Sequence, residues 1–219
     1  MAPIIEVSNE TLKTLNPQVY TIRNDLVIKP RVEVVSEPYI EVPEIGLAVA
    51  KRLTHHSKTW YNQHDALKKE DSIMLPTSKF SRFLAYLIAH PENKEYQAIL
   101  EEIVGFRNSW RAENLDDYFV KEGDKWYDLT QNKTHKEKLN PCLMEDKTPG
   151  ISLESWLSNP TKQGLPQANV KGGDLYYWNP REGSVAGFDA VSVGACLGCG
   201  RYPSYRGSSL GVRAAKQLK

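Results

Sequence analysis

Three groups of residues in this chain could carry chemistry. Cys196 and Cys199 form a C-x-x-C, with Cys142 as the third cysteine; His55, His56 and His64 lie close together; and Glu113, Asp116 and Asp117 crowd the segment FRNSWRAENLDDYF. A structural zinc site needs a second pair of ligands at matching spacing, which one further cysteine and scattered histidines do not supply. Thioredoxin-type redox chemistry needs the cysteine pair at a helix N-terminus. Here the pair falls in an alternating pattern that sends the two sulfurs to opposite faces of a strand. The histidines have no carboxylate or cysteine at ligand spacing and read as surface residues of a polar loop. The carboxylates could form an acid-base pair, but no histidine or nucleophile converges on them in the sequence. They read as a charged outer face with an internal ion pair to Arg111. No catalytic residue, metal ligand or cofactor is expected from these groups.

A different chemistry, that of a displayed surface, is suggested by Gly183–Arg213, GSVAGFDAVSVGACLGCGRYPSYRGSSLGVR. The chain is rich in lysine and glutamate elsewhere, yet between Gly183 and Ala215 it has neither, and glutamine, methionine, tryptophan and asparagine are missing too. Phe188, Ala190 and Ser192 alternate with Asp189, Val191 and Val193. After a slip of one residue at Gly194, Ala195, Leu197, Cys199, Arg201 and Pro203 alternate with Cys196, Gly198, Gly200 and Tyr202. Alternate side chains of a strand share a face, so the pattern predicts two short strands separated by a turn or bulge. The first set suits a core. The second lacks the Thr, Lys, Glu and Arg of an ordinary solvent face. A Gly-rich closing segment of a mixed domain could look like this; the sharper reading is a binding surface.

Other elements must hold that stretch in place. Pro76 precedes a helix that Thr77 or Ser78 can cap, with Phe80, Phe83, Leu84, Leu87 and Ile88 on one face and His90-Pro91 at its end. A second helix carries Tyr96, Ile99, Leu100, Ile103 and Val104, closing at Gly105. GLAVAKRL, from Gly46, reads as a strand, TWYNQHDALKK as helix or loop, KWYDL as a strand, and Gln131–Gly150 as loop. Ser152 can cap a short helix through SLESWL, and the aromatic run LYYWNP follows Gly172-Gly173. The first 45 residues, where VYTI and LVIK flank Arg23-Asn24-Asp25 and three prolines punctuate VEVV and YIEV, read as a small β arm or appendage ahead of a main domain over 46–219.

Whole-chain properties bound the function. The 219 residues suit one domain, or one domain with an appendage, and a net charge of +1 gives no reason to expect nucleic acid or a membrane surface as partner. No apolar run spans a bilayer, and the start lacks the order of a secretion signal, so a soluble chain is expected.

The series SWRAENLDDYF, ISLESWL, QGLP, GGDLYYWNPREGSVAGF and SSLGVRAAK resembles the variable proteins of archaeal diversity-generating retroelements, and within them the archaeal-virus type. The likeness runs from about Gly46 to the C-terminus and is most specific from Ser152 onward. It implies an α+β C-type lectin fold of the formylglycine-generating-enzyme kind. In that family a reverse transcriptase scatters substitutions at template adenines, so asparagine codons become variable. Such codons yield Asp, Val, Cys, Gly, Tyr, Ser and Arg among others, but never Lys, Glu, Gln, Met or Trp. The resemblance therefore implies variable, ligand-binding positions at Asp189, Val191, Val193, Cys196, Gly198, Gly200, Tyr202, Ser204, Tyr205 and Ser209, with Gly187, Gly194, Arg206 and Gly207 as further members. Phe188, Ala190, Ser192, Ala195, Leu197 and Cys199 would hold the fold. Tyr202 and Tyr205, beside fixed Tyr177 and Trp178, would be the anchors.

The implied function is non-enzymatic binding of an unknown ligand, a protein or other cell-surface molecule, from a virion surface or outside the cell. Two alternatives stand beside it. A cysteine oxidase of the formylglycine-generating type would need paired cysteines in another motif and spacing. A fixed-specificity sugar-binding lectin would need calcium ligands, of which the stretch beyond Gly183 offers only Asp189.

Overall fold

The computed structural model describes residues 38–218, an α+β arrangement. β1 (Tyr39–Val42) and β2 (Leu47–Ala50) are joined by a 3-10 turn over Pro43–Ile45 that closes at Gly46 with φ 67°, a left-handed conformation open to glycine. α1 (Trp60–Lys69) starts at Thr59, whose hydroxyl accepts the Asn62 amide hydrogen. β3 (Ile73–Met74), α2 (Thr77–Ala89) and α3 (Lys94–Val104) follow, with Asn93 accepting from the Glu95 and Tyr96 amides at the start of α3. Next come β4 (Arg111–Glu122), β5 (Lys125–Thr130), β6 (His135–Lys138), β7 (Lys147–Ile151) and α4 (Leu153–Ser158), the last capped by Ser152 as its sequence predicts. β8 (Leu175–Trp178), β9 (Val185–Val191), β10 (Gly194–Arg201), β11 (Leu210–Gly211) and β12 (Ala214–Gln217) complete the chain.

The strands form two sheets. One is four-stranded in the order β1-β2-β12-β3; the other is ordered β6-β5-β4-β9-β10-β8-β7, with β11 parallel to β4 off that path. Within the larger sheet β9 pairs antiparallel with both β4 and β10, and β10 runs parallel to β8. β9 and β10 thus have neighbours on both sides, which fixes the direction of every side chain along them. Their inner face meets α2 and α4: the Phe188 ring lies 5.2 Å from Phe80 and stacks on Trp156 at 6.3 Å, and the Trp156 indole N–H donates to the Gly164 carbonyl at 2.7 Å.

Several boundaries differ from the sequence expectations. Tyr39–Val42 belongs to the four-stranded sheet, and the compact unit begins at Pro38 rather than at residue 46, because Ile40 and Val42 bury their side chains in the core while pairing with β2. The VYTI, LVIK and VEVV strands and the turn at Arg23-Asn24-Asp25 lie outside the described residues. Gln131–Gly150 is not all loop, since it contains β6 and the start of β7. The α2 cap comes from neither Thr77 nor Ser78: Asp117 accepts the Thr77 amide and hydroxyl hydrogens at 2.8 and 2.7 Å. Ile88 is exposed, unlike the other four residues of its predicted face.

The largest departure is β4. Arg111, Glu113, Asp116 and Asp117 are buried in the middle of the sheet rather than forming an outer face. Glu113 accepts from Arg111 Nη2 at 2.6 Å and from Arg213 Nε at 3.2 Å, so the expected ion pair to Arg111 exists, but inside. Burial alone would raise the Glu113 carboxyl, yet the two guanidiniums hold it below its ordinary range. Asp116 accepts the amides of Gln131 and Asn132 in a turn where Gln131, Asn132 and Lys133 all have positive φ. His64, on α1 and not on a loop, packs edge-on against Trp60 with its Nε2 3.1 Å from Asp116 Oδ1, outside hydrogen-bond geometry.

Asp117 and Asp128 are both buried, and Oδ1 of each has no hydrogen-bond donor among the described residues. Burial, and for Asp128 the charge of Asp117, pushes Asp117 up to about 7 and Asp128 up to about 10. An acid raised in the folded state keeps a proton that the unfolded chain has already lost. Stability supplied by this pair is therefore fully present below the ordinary aspartate value of 3.8 and is lost as pH rises from there through those values. Urea unfolding at pH 5 and pH 9 should give the higher midpoint at pH 5, and Asp128→Asn should flatten the difference. An equal or higher midpoint at pH 9 in the unmutated protein would contradict protons retained on this pair in the folded state.

Candidate ligand-binding face

The hairpin β9–β10 turns through Ser192 and Val193, with Val191 opposite Gly194, Asp189 opposite Cys196 and Gly187 opposite Gly198. Gly194 has φ 141° and marks the slip seen in the sequence. Phe188, Ala190, Ala195, Leu197 and Cys199 point inward and are buried, as their alternation predicts. Ser192 does not: it sits in the turn and is exposed.

The outward set is less uniform than the alternation implies. Val193, Gly200, Tyr202, Ser204, Tyr205 and Arg206 are exposed, Asp189, Val191, Gly198, Gly207 and Ser209 are half-buried, and Gly187, Gly194 and Cys196 are buried. Cys196 shares the face of Asp189 but is 9% exposed, so it is not a displayed side chain. Gly187 lies beneath Arg201: a Cβ there would stand 3.1 Å from the guanidinium carbon. A register shift between Gly198 and Arg201 breaks the alternation, and it brings Arg201, expected inside, onto the outer face. Tyr177 is also corrected: it is buried, donating its hydroxyl to the Leu143 carbonyl at 2.8 Å, while Trp178 beside it is exposed.

Five of the sequence-assigned residues, Asp189, Gly198, Gly200, Tyr202 and Tyr205, converge with Trp178, Arg181 and Arg201 around an open pocket of about 390 Å³. Gly198 and Gly200 create its depth. A Cβ at Gly198 would meet nothing closer than 4.0 Å, so any side chain placed there projects into the opening. Val191, Val193 and Gly194 lie at the hairpin turn and do not line it. Arg181, Arg201 and Trp110 were missed in the sequence. Trp110 is half-buried and packs edge-on against Tyr205 at 6.0 Å.

The loop after β10 is held by its main chain. Tyr205 N–H donates to the Tyr202 carbonyl, Trp60 N–H to Pro203, Ser57 N–H to Gly207 and Ala112 N–H to Ser209, at 3.0 to 3.1 Å. These bonds need no particular side chain at 202, 203, 205, 207 or 209 except one that permits the backbone.

The cysteines offer no reactive thiolate. All three are free and buried. Burial, then the nearby Asp189 charge, pushes Cys196 up to about 12; burial pushes Cys142 up to about 11 and Cys199 well above its ordinary value. Native protein at pH 8 should therefore react slowly with a disulfide reagent, and all three thiols should appear only on denaturation. Rapid labelling of Cys196 in the native state would contradict its burial.

No helix among the described residues is long and apolar enough to cross a membrane. No protein-family model, curated protein or solved structure matches this chain.

Proposed function

We propose that the outer face of β9, β10 and the following loop is a diversified ligand-binding surface on a non-enzymatic attachment protein, carried by a C-type lectin fold of the formylglycine-generating-enzyme kind. The observation that carries this reading is the separation of backbone from side chain: paired strands and main-chain hydrogen bonds fix 185–209, while the side chains at Tyr202, Tyr205 and Val193 stand in solvent. Such side chains change at small cost, usually within about 0.5 kcal/mol. Tyrosine and tryptophan around a glycine-floored pocket match the physics of an antibody paratope, with large rigid contact area and room for an inserted group.

The alternatives gain less support. Cys196 and Cys199 face opposite sides of β10 as free, buried thiols, an arrangement unlike that of a reactive pair. Asp189, the one carboxylate lining the pocket, is bound to Arg201. The test is the coding locus. The proposal expects, beside a reverse-transcriptase gene, a near-copy of the segment encoding 183–213 that differs from it at adenines. A locus whose only near-copies differ evenly at all four bases would overturn it.

A further inference from the structure

Arg201 is the most constrained side chain in the pocket. Its Nη2 donates to Asp189 Oδ1 at 2.5 Å and its Nη1 to Asn114 Oδ1 at 3.4 Å. The guanidinium lies across Gly187 and 5.9 Å from the Trp110 ring, and the side chain is 12% exposed. Asn114 is itself fixed, donating to Gln63 Oε1 at 2.8 Å. Neutral neighbours thus hold the cation in position, while among the described residues the carboxylate on it is that of Asp189. Arg181, the other cation lining the pocket, is taken by Asp146. With both arginines paired inside the chain, the walls left for a ligand are Trp178, Tyr202 and Tyr205.

We propose that residue 189 decides the charge of the ligand this face accepts: with Asp189 the pocket suits an uncharged group, and without that carboxylate Arg201 becomes the anchor for a carboxylate-bearing ligand. This rests on the reading of the face as a binding surface, and it makes one position assigned as variable control a residue, Arg201, that was not. The chemistry follows from desolvation. A mostly buried guanidinium stripped of its partner keeps the cost of burial without the compensating charge. Its planar fork matches an incoming carboxylate, which restores both.

The test uses the full chain and two probes, acetate and N-acetylaspartate, titrated at constant ionic strength while following by NMR the indole N–H resonance of Trp178, which lines the same pocket and is present in every variant. Asp189→Ser should bind both at least ~10-fold more tightly than the unmutated protein, the scale of one charge-assisted hydrogen bond. Adding Arg201→Gln should abolish the gain. Equal affinity in Asp189→Ser and the unmutated protein, or a gain that survives Arg201→Gln, would overturn the proposal. Asp189→Thr, better suited to a strand, serves as a second variant with the same two outcomes should Ser loosen β9. The probes report on one arginine and need no macromolecular ligand, so failure here is distinguishable from failure of the locus comparison.

Discussion

Arg213→Ala should destabilise the protein by about 3–5 kcal/mol, enough to leave little folded chain at 37 °C. Arg213 is 1% exposed and ties three elements together: it donates to the Ala50 and Lys51 carbonyls at 2.9 and 2.7 Å, at the end of β2, and to Glu113 on β4 at 3.2 Å, from the link between β11 and β12. Removing it leaves a buried carboxylate held by one guanidinium, that of Arg111, instead of two, and takes the guanidinium's donors from two carbonyls. The double change Glu113→Gln with Arg213→Met should recover part of the loss, because it removes the stranded charge. Chemical denaturation of the single and double variants measures this. A single variant within 1 kcal/mol of the unmutated protein would show that the network is not what clasps the two sheets.

Phe188→Ala should cost a similar amount, about 3–5 kcal/mol, by opening a cavity between Phe80 and Trp156. On the same hairpin, Val193→Asn should shift stability by no more than about 0.5 kcal/mol, since Val193 is 62% exposed. Two residues five positions apart then differ several-fold in consequence because one faces inward and the other sits in the turn. Urea unfolding of both variants checks the contrast, and equal losses would contradict the face assignment.

Alternation made the inward face legible in the sequence. Phe188, Ala190, Ala195, Leu197 and Cys199 follow the period of two because strands on either side hold β9 and β10 flat. The period fails where the backbone departs from it, so Ser192 in the turn and Arg201 beyond the register shift were misplaced. Alternation also says nothing about what covers an outward residue, and Cys196 is buried while pointing the expected way. Charge was the harder case. Glu113 and Asp117 look like surface residues because their partners lie far along the chain: Arg213 is 100 residues later and Thr77 is 40 residues earlier. A local window cannot show that a carboxylate will be met by a guanidinium or by the start of a helix. The pocket was only partly visible for the same reason: its glycines and tyrosines sit within Gly183–Arg213 and Trp178 was expected beside them, while Arg181 comes from the preceding turn and joins them only in the fold.

The most direct measurement is the thermal unfolding of one chain carrying Val193→Asn, Gly200→Ser, Tyr202→Asn, Ser204→Asp, Tyr205→Ser and Arg206→Ser together. All six residues are exposed, and none supplies a side-chain hydrogen bond to the framework among the described residues. A surface free to change predicts a single cooperative transition within about 5 °C of the unmutated protein, given small individual costs. A broad transition, or a fall larger than that of Phe188→Ala alone, would mean that these side chains hold the fold together instead of being displayed on it.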